Sequence, residues 1–313
     1  MSVSRLHTHY AVRLYTDAMG AAVLLGGITQ QAINTGTEVV GSPTSGEVYP
    51  RFMSVVGQKP SAAFTTKSIA TALDNCGFSG LGIASATNPG LELFAYKHLA
   101  GSTRSGDSLH RKYTIRKGIL VPQRLSVDHR GDATISYLAL SVYDGSNDPL
   151  VLADTYTLPT GLTDAERFTL GPVSIGGVTL AQITGLEIDF GIRAETVGAD
   201  SDIWDTLVSI HQTTPKIMLK GIDVEWLKSA NIPLIGKAAT HANTILYLRK
   251  RAAASTYVAD GTAQHISMTA AGLAFIEQPM EASNGTSQTS LVAPLYYDGT
   301  NDIMVIDTTA AIV

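Results

Sequence analysis

The sequence YDGSND at residues 143–148 recurs as YDGTND at residues 297–302, 154 positions further along the chain. The chain has 313 residues, so this offset is close to half its length. A motif repeated at half the chain length predicts two tandem copies of one unit. Two copies are too few for a solenoid, which needs about three or more to bury a continuous core.

The match between the halves extends upstream of this motif. There the offset is 155 residues, and Gly36 aligns with Gly191 and Pro60 with Pro215. Further aligned pairs are Ile28-Thr29 with Ile183-Thr184, Val23 and Leu25 with Val178 and Leu180, Ser54 with Ser209, and Val48-Tyr49 with Ile203-Trp204. We therefore expect two homologous domains, residues 1–154 and 155–313, with one strand order and coincident turns at the two YDG motifs.

Strand patterns dominate both halves. Leu186, Ile188, Phe190 and Ile192 alternate with polar residues or glycine, which is typical of a strand with one buried face. Residues 134–143 are rich in β-branched and aromatic residues, and the Asp144-Gly145 that follows is a hairpin-turn signal. The predicted fold is mainly β, with two tandem β-sandwich or barrel domains, each carrying a short flanking helix.

One helix is predicted in each half. In the first, Thr65 or Thr66 can cap its start and Gly77 can end it. Its apolar face comprises Ile69, Ala72, Leu73 and Cys76. The equivalent helix in the second half covers residues 223–229 and is stopped by Pro233.

Composition limits the possible functions. The net charge is −5, which argues against a protein that grips nucleic acid, because phosphate binding needs a basic surface. A single cysteine excludes an internal disulfide framework. The apolar run at residues 18–28 is too short to span a bilayer, so we expect a soluble protein without a membrane partner.

Patterns that would indicate chemistry are weak. We considered the Gly/Ser loop at 101–106 for phosphate, His7 and His9 for a metal, Asp148 and Asp302 in the YDG turns for a metal, and Cys76 as a nucleophile. Each set has an explanation that needs no ligand. The Gly/Ser segment is explained as a surface loop, the two histidines as part of a solvated tail, the two aspartates by turn chemistry and Cys76 by packing in the core. The sequence predicts no enzyme, no catalytic residue, no cofactor and no metal site.

Positive charge is concentrated at residues 97–117 and at Arg249-Lys250-Arg251. Three interpretations stay open: a solvated face, a contact with acidic loops of a neighbouring subunit such as Asp200 and Asp202, and a nucleic-acid patch. The second interpretation predicts that the cations at 249–251 contact another copy of the chain.

Residues 27–73 resemble bacteriophage tail tube proteins. The resemblance is carried by GIT at 27–29, by GEVYP at 46–50 and by FTT at 64–66 before the helix. The hairpin at 117–148 also resembles phage virion proteins. It implies a β-sandwich with a flanking helix whose sheets join across subunits to line a channel. It also implies a virion location, in the tail, for a protein made in the host cytoplasm, with itself and other tail proteins as partners and DNA only in passage. An acidic channel wall would repel DNA phosphates.

In the family that the chain resembles, single-unit subunits pack six to a ring. A chain with two units would close the same ring with three copies, which predicts a trimeric, pseudo-hexameric ring that stacks into a hollow tube. The alternatives are a double jelly-roll capsid protein, a ring-shaped clamp and a small-molecule-binding β protein. The helix after Thr66 favours the tube over the jelly roll, and the few helical lysines, such as Lys67 and Lys228, weigh against a clamp.

Overall fold

The structure, a computed structural model, describes residues 5–15, 22–43, 46, 48–84, 90–99, 110–162, 166–199, 202–222, 239–240, 244–253, 256–270, 274–275, 281–282, 287–297, 299–300 and 302–313. Within these ranges the chain is mainly β, built from several antiparallel sheets with one helix. No helix there has the length and apolar character needed to cross a bilayer. The predicted helix at 223–229 lies outside the described residues.

In the described part of the first half, the chain forms twelve strands and the helix. They are β1 (Arg5–Tyr15), β2 (Ala22–Leu25), β3 (Ile28–Asn34), β4 (Thr37–Pro43), β5 (Pro50–Gln58), β6 (Ser61–Thr66), α1 (Ile69–Cys76), β7 (Leu81–Ala84), β8 (Leu91–Leu99), β9 (His110–Ile115), β10 (Lys117–Asp128), β11 (Thr134–Ser141) and β12 (Val151–Tyr156). The last of these runs past residue 154, the predicted domain boundary.

The described strands of the second half follow. They are β13 (Phe168–Ile175), β14 (Val178–Leu180), β15 (Ile183–Asp189), β16 (Ile192–Val197), β17 (Leu207–Thr213), β18 (Lys216–Gly221), β19 (Ala239–Thr240), β20 (Thr244–Lys250), β21 (His265–Ala270), β22 (Ala274–Phe275), β23 (Glu281–Ala282), β24 (Ser287–Pro294) and β25 (Met304–Ala310).

Two five-stranded sheets lie in the two halves. The first has the order β12-β9-β8-β1-β2 and the second the order β25-β21-β20-β13-β14. In the first sheet, the last strand of the half, β12, pairs with β9, and in the second, β25 pairs with β21. The hairpins β1-β2 and β13-β14 form the opposite edges. The two orders are the same when the strands are taken in their sequence within each half.

A nine-stranded sheet runs through both halves. Its path is β23-β24-β18-β15-β10-β11-β6-β3, with β7 also paired to β10. Strict alternation along β6 and β11 buries residues such as Phe64 and Tyr137 on one face, where their rings stack at 5.3 Å. The opposite face of these two strands carries Ser61, Ala63, Thr65, Thr134 and Ser136 together with Leu138 and Leu140. The buried face and the five-stranded sheets enclose one continuous hydrophobic core that draws on both halves.

Helix α1 covers part of that core. Ile69, Ala72, Leu73 and Cys76 are all buried, as the apolar spacing predicts, and Gly77 ends the helix at φ +60°. The predicted cap is wrong by two or three residues, because Ser68 is the N-cap. The Thr66 hydroxyl instead accepts from the Ser68 N–H at 3.0 Å and donates to the Gly26 carbonyl at 2.7 Å. Thr66 therefore fixes the entry to the helix without occupying the cap.

The YDG turn after β11 is a turn, but it does not form a hairpin. Strand β11 belongs to the nine-stranded sheet and β12 to a five-stranded one, so the turn carries the chain between layers. The Asp144 carboxylate accepts hydrogen bonds from the backbone N–H groups of Ser146 at 2.8 Å and Asn147 at 2.7 Å. Burial opposes its ionisation, but these bonds outweigh burial and lower the pKa of Asp144.

Candidate assembly surfaces

The two halves are joined by direct strand pairing. Residues 124–128 of β10 pair antiparallel with residues 185–189 of β15, so that one edge of the first half meets one edge of the second. The Phe190 N–H donates to the Gln123 carbonyl at 3.1 Å and the His129 N–H to the Thr184 carbonyl at 2.7 Å. These bonds extend the ladder at both ends. The joint is thus a continuous sheet, which is how exposed strand edges are satisfied.

Two edges of this sheet have no further strand partner among the described residues. At one end of the strand path lies β3, and at the other lies β23. Hydrogen bonds of an antiparallel pair alternate along a strand. The bond from the Lys59 N–H to the Gly36 carbonyl sets the phase of β3 against β6, so the N–H of Gln31 faces away from β6. The open edge therefore offers backbone donors to a further strand.

Two hairpins expose apolar side chains. One is formed by β4 and β5, and the other by β16 and β17. On the first, Val48 and Tyr49 at the tip are 89% and 81% exposed. Its other exposed apolar side chains are Val39, Val40, Phe52, Met53, Val55 and Val56. Consecutive residues of a strand point to opposite faces, so both faces of this hairpin present apolar side chains. Exposed apolar surface of this kind marks a candidate contact with another macromolecule.

The second hairpin is partly covered by the first half. Trp204 lies between β16 and β17, and its indole Nε1 donates to Oε1 of Gln58 at 2.9 Å. Its ring lies 5.2 Å from that of Tyr143. The Gln58 N–H donates to the Ile203 carbonyl at 2.7 Å, and the Tyr143 N–H to the Asp205 carbonyl at 2.8 Å. The hairpin of the second half thus docks on two segments of the first.

The cations at 249–251 all have acidic partners within the chain. Arg249 pairs with Asp260 at 2.9 Å and Lys250 with Glu166 at 3.9 Å. Arg251 Nε lies 3.3 Å from Asp132, a residue of the first half. The expectation that these cations contact another subunit stays a prediction, and the contacts within the chain give Arg251 a role in joining the halves.

Asp132 is the centre of that polar joint. Lys67 approaches its carboxylate to 2.9 Å, and Arg251 and Arg167 approach to 3.3 Å and 3.9 Å. The hydrogen bond from Lys67 and the surrounding positive charge lower the pKa of Asp132 against the opposing effect of burial.

A buried carboxylate distinguishes the first five-stranded sheet. The Glu92 side chain is only 2% exposed and is held by Arg13 at 2.9 Å and Lys112 at 2.6 Å. By strand register, the corresponding positions of the second sheet are Ser174, Ile245 and Ser267. The first sheet therefore carries an ion-pair network where the second carries none of these charges.

The open face of the nine-stranded sheet is balanced in charge where β10, β15 and β18 meet. It presents three cations and three anions there: Arg124, Lys216, Lys220, Asp128, Glu187 and Asp189. Arg124 pairs with Glu187 across the joint between the halves. This part of the face is consequently not acidic, and it carries no aromatic side chain on which a base could stack.

The residues singled out for chemistry are dispersed. His7 and His9 lie exposed on β1, and no three His, Cys, Asp or Glu side chains among the described residues are placed to share a metal ion. Burial raises the pKa of Cys76 to about 12, which keeps the thiol protonated and fits a packing role. Asp148 is exposed in its turn, as is Asp302. The loop at 101–106 lies outside the described residues, as do Asp200 and Lys228.

A cleft of about 520 Å³ lies between helix α1 and the second half. Ser68 and Thr71 of the helix line it together with Glu166, Lys250 and Arg251. Its cations already pair with carboxylates, so the cleft is explained by the polar joint between the halves.

Comparison with models of known protein families finds none that matches this chain. Comparison with curated proteins likewise finds no relative.

Proposed function

We propose that the chain is a structural subunit of a phage virion, most specifically a tail tube protein, and not an enzyme. Three copies would join head to tail into a pseudo-hexameric ring, and rings would stack into a hollow tube. The observation that carries the proposal is the pairing of β10 with β15, because it is an edge-to-edge contact that can be repeated between chains.

The proposal includes a duplication of one unit. Three backbone–backbone hydrogen bonds recur at aligned positions in support of it, and one hydrogen bond from a backbone N–H to a histidine ring recurs at positions that correspond by strand register. The Lys59 N–H donates to the Gly36 carbonyl as the Thr214 N–H donates to the Gly191 carbonyl, and the Ser141 N–H donates to the Pro60 carbonyl as the Leu295 N–H donates to that of Pro215. The Lys67 N–H donates to the Gly27 carbonyl as the Ile222 N–H donates to that of Gln182. The Lys97 N–H donates to Nδ1 of His110 as the Lys250 N–H donates to Nδ1 of His265. The shared order of the two five-stranded sheets points the same way.

Repetition of the joint follows from the order of strands. At the aligned positions, β15 corresponds to β3, and β23 corresponds to the end of β10. Inside the chain, β10 pairs with β15. The equivalent pairing, of β23 with β3, would have to form between two chains, because these two strands lie at opposite ends of the sheet. Head-to-tail contacts of this kind close into a ring when the rotation allows it.

A lumen lined by the open face of the nine-stranded sheet would suit passing DNA because it would not bind DNA tightly. The sequence instead predicted an acidic wall that repels DNA phosphates. The described charges of the open face are balanced at the joint, and β6 and β11 add the hydroxyl side chains of Ser61, Thr65, Thr134 and Ser136 beside Leu138 and Leu140. Tight binding of nucleic acid needs several cations that neutralise phosphates, or aromatic stacking platforms. A balanced, non-aromatic face offers neither and would let DNA slide.

Electron microscopy and native mass measurement of the purified full chain test the proposal. We expect rings of three chains, with averaged images of threefold symmetry, and stacks of such rings. Six chains per ring, a closed shell or a persistent monomer at high concentration would each refute it.

A substitution at the open edge sharpens this test. Gln31→Pro removes an N–H that faces away from β6, so it should abolish ring formation while the chain stays folded. Gln31→Ala is the matched control, because it also removes the side-chain hydrogen bond to the Ala11 carbonyl but keeps the N–H. Equal assembly of the two variants would show that β3 is not an assembly edge.

A further inference from the structure

Trp204 and Tyr143, whose rings are in contact, each align with an exposed tyrosine in the other half of the chain. Position 155 before Trp204 is Tyr49, and position 154 after Tyr143 is Tyr297. Tyr49 is 81% exposed and Tyr297 is 60% exposed. Large aromatic side chains carry most of their contact energy when buried, so two such exposures at aligned positions call for an explanation.

The local frames of the two hairpins agree. Each follows a glycine at positive φ, Gly36 at +57° or Gly191 at +59°, that turns the chain out of the nine-stranded sheet. The Gly36 N–H donates to the amide oxygen of Asn34, and the Gly191 N–H donates to the carboxylate of Asp189, at 2.9 Å in both cases. Val48-Tyr49 is therefore presented from the first half in the way that Ile203-Trp204 is presented from the second.

The acceptor surface is also repeated. Inside the chain it consists of Tyr143, after β11, and Gln58, at the end of β5. The aligned residues of the second half are Tyr297, after β24, and Thr213, at the end of β17. Thr213 offers a hydroxyl where Gln58 offers an amide, so a polar partner is kept at the edge of the aromatic contact.

We propose that Val48 and Tyr49 of one chain dock against Tyr297 and Thr213 of a second copy of the chain. This inference rests on the head-to-tail ring proposed above, and its direction agrees with it. Within the chain, the half that contributes β15 to the sheet also contributes Trp204. Between chains, the half that contributes β3 would contribute Tyr49, so one docking step forms both contacts.

Truncation measures the strength of this contact. Tyr49→Ala and Tyr297→Ala should each raise the concentration needed for assembly by about tenfold or more, because buried interface aromatics are typical hot spots. The double variant should be little weaker than either single one, since both remove the same contact. Leu152→Ala is the control: this side chain is also exposed, on the far edge of a five-stranded sheet, and should leave assembly unchanged.

Cross-linking tests the pairing directly. Chains carrying Tyr49→Cys are mixed with chains carrying Tyr297→Cys and treated with a short bismaleimide. We expect a two-chain product in the mixture and much less from either variant alone, with the buried, protonated Cys76 silent. Replacing the first variant by Leu152→Cys should remove the product.

The outcomes separate the two proposals. A wild-type chain that forms rings, with Tyr49→Ala assembling at the wild-type concentration and no mixed cross-link, would overturn the aromatic contact and leave the ring intact. A wild-type chain that stays monomeric would overturn both.

Discussion

The two five-stranded sheets share an order of strands but differ in the side chains on the face that points away from the hydrophobic core. In both, a buried histidine accepts a hydrogen bond from a lysine N–H, at His110 in the first sheet and His265 in the second. Only the first buries a carboxylate, Glu92, between two cations. Contacts that set the path of the backbone recur, whereas side chains that cover the sheet are free to change. Under the proposed duplication, a covalent link between the halves would permit this, because each half of a ring subunit would meet different neighbours.

The largest effect should come from the recurrent backbone contacts. A Cβ at Gly36 would overlap the carbonyl oxygen of Lys59, and one at Gly191 would overlap that of Thr214. Both glycines also have positive φ, so Gly36→Ala and Gly191→Ala should each lower the free energy of unfolding by about 3 kcal/mol. Chemical denaturation of the two variants checks this.

The matched controls are Gly82→Ala and Gly261→Ala, one in each half, because an added Cβ meets nothing within 4 Å at either position. They should change stability by about 0.5 kcal/mol or less. A large loss at Gly36 with none at Gly191 would break the equivalence of the two hairpins.

Local pattern predicted much of the fold. The alternation at Leu186 and Ile188 marks a strand with those side chains buried, and the face through Ile69 and Cys76 marks the helix. Both signals arise from neighbours in sequence. The hairpin expected at Asp144 was wrong because turn chemistry fixes a bend but not the sheet that receives the next strand.

The assembly surfaces were harder to predict. Pairing of β10 with β15 joins residues about 60 apart, and the choice of edge depends on how whole layers pack. The sequence repeat aligns Val48 and Tyr49 with Ile203 and Trp204, but it does not predict that Trp204 is partly covered whereas Tyr49 is exposed. The burial of Glu92 likewise depends on Arg13 and Lys112, which reach it from two neighbouring strands.

A smaller effect is expected at Glu92. Glu92→Gln leaves Arg13 and Lys112 without their carboxylate in a largely buried site, which should lower the free energy of unfolding by about 2 kcal/mol. Replacing all three residues by those of the second sheet, as Arg13→Ser, Glu92→Ile and Lys112→Ser, removes the charges together. The triple variant should therefore be more stable than Glu92→Gln in the same denaturation experiment. A triple variant less stable than the single one would mean that the first sheet depends on its charges and is not interchangeable with the second.

The smallest effect should arise at the joint between the halves, where Asp132 meets Lys67, Arg251 and Arg167. These cations lower the pKa of the folded carboxyl below its value in the unfolded chain, so the stabilisation is present above the unfolded pKa and is lost as pH falls through the folded one. Asp132→Asn should cost about 1 kcal/mol near pH 7, because the cluster is partly open to solvent. The difference between wild type and variant should shrink as pH falls below about 4.

Arg251→Gln tests whether the effect spans the halves. The losses of stability caused by Arg251→Gln and by Asp132→Asn should be less than additive in the double variant, since both substitutions remove the same pair between the halves. Strict additivity would assign the effect of Asp132 to Lys67 and Arg167 and not to Arg251. A difference that persists at low pH would show that the charge of the Asp132 carboxylate is not the source of the stabilisation.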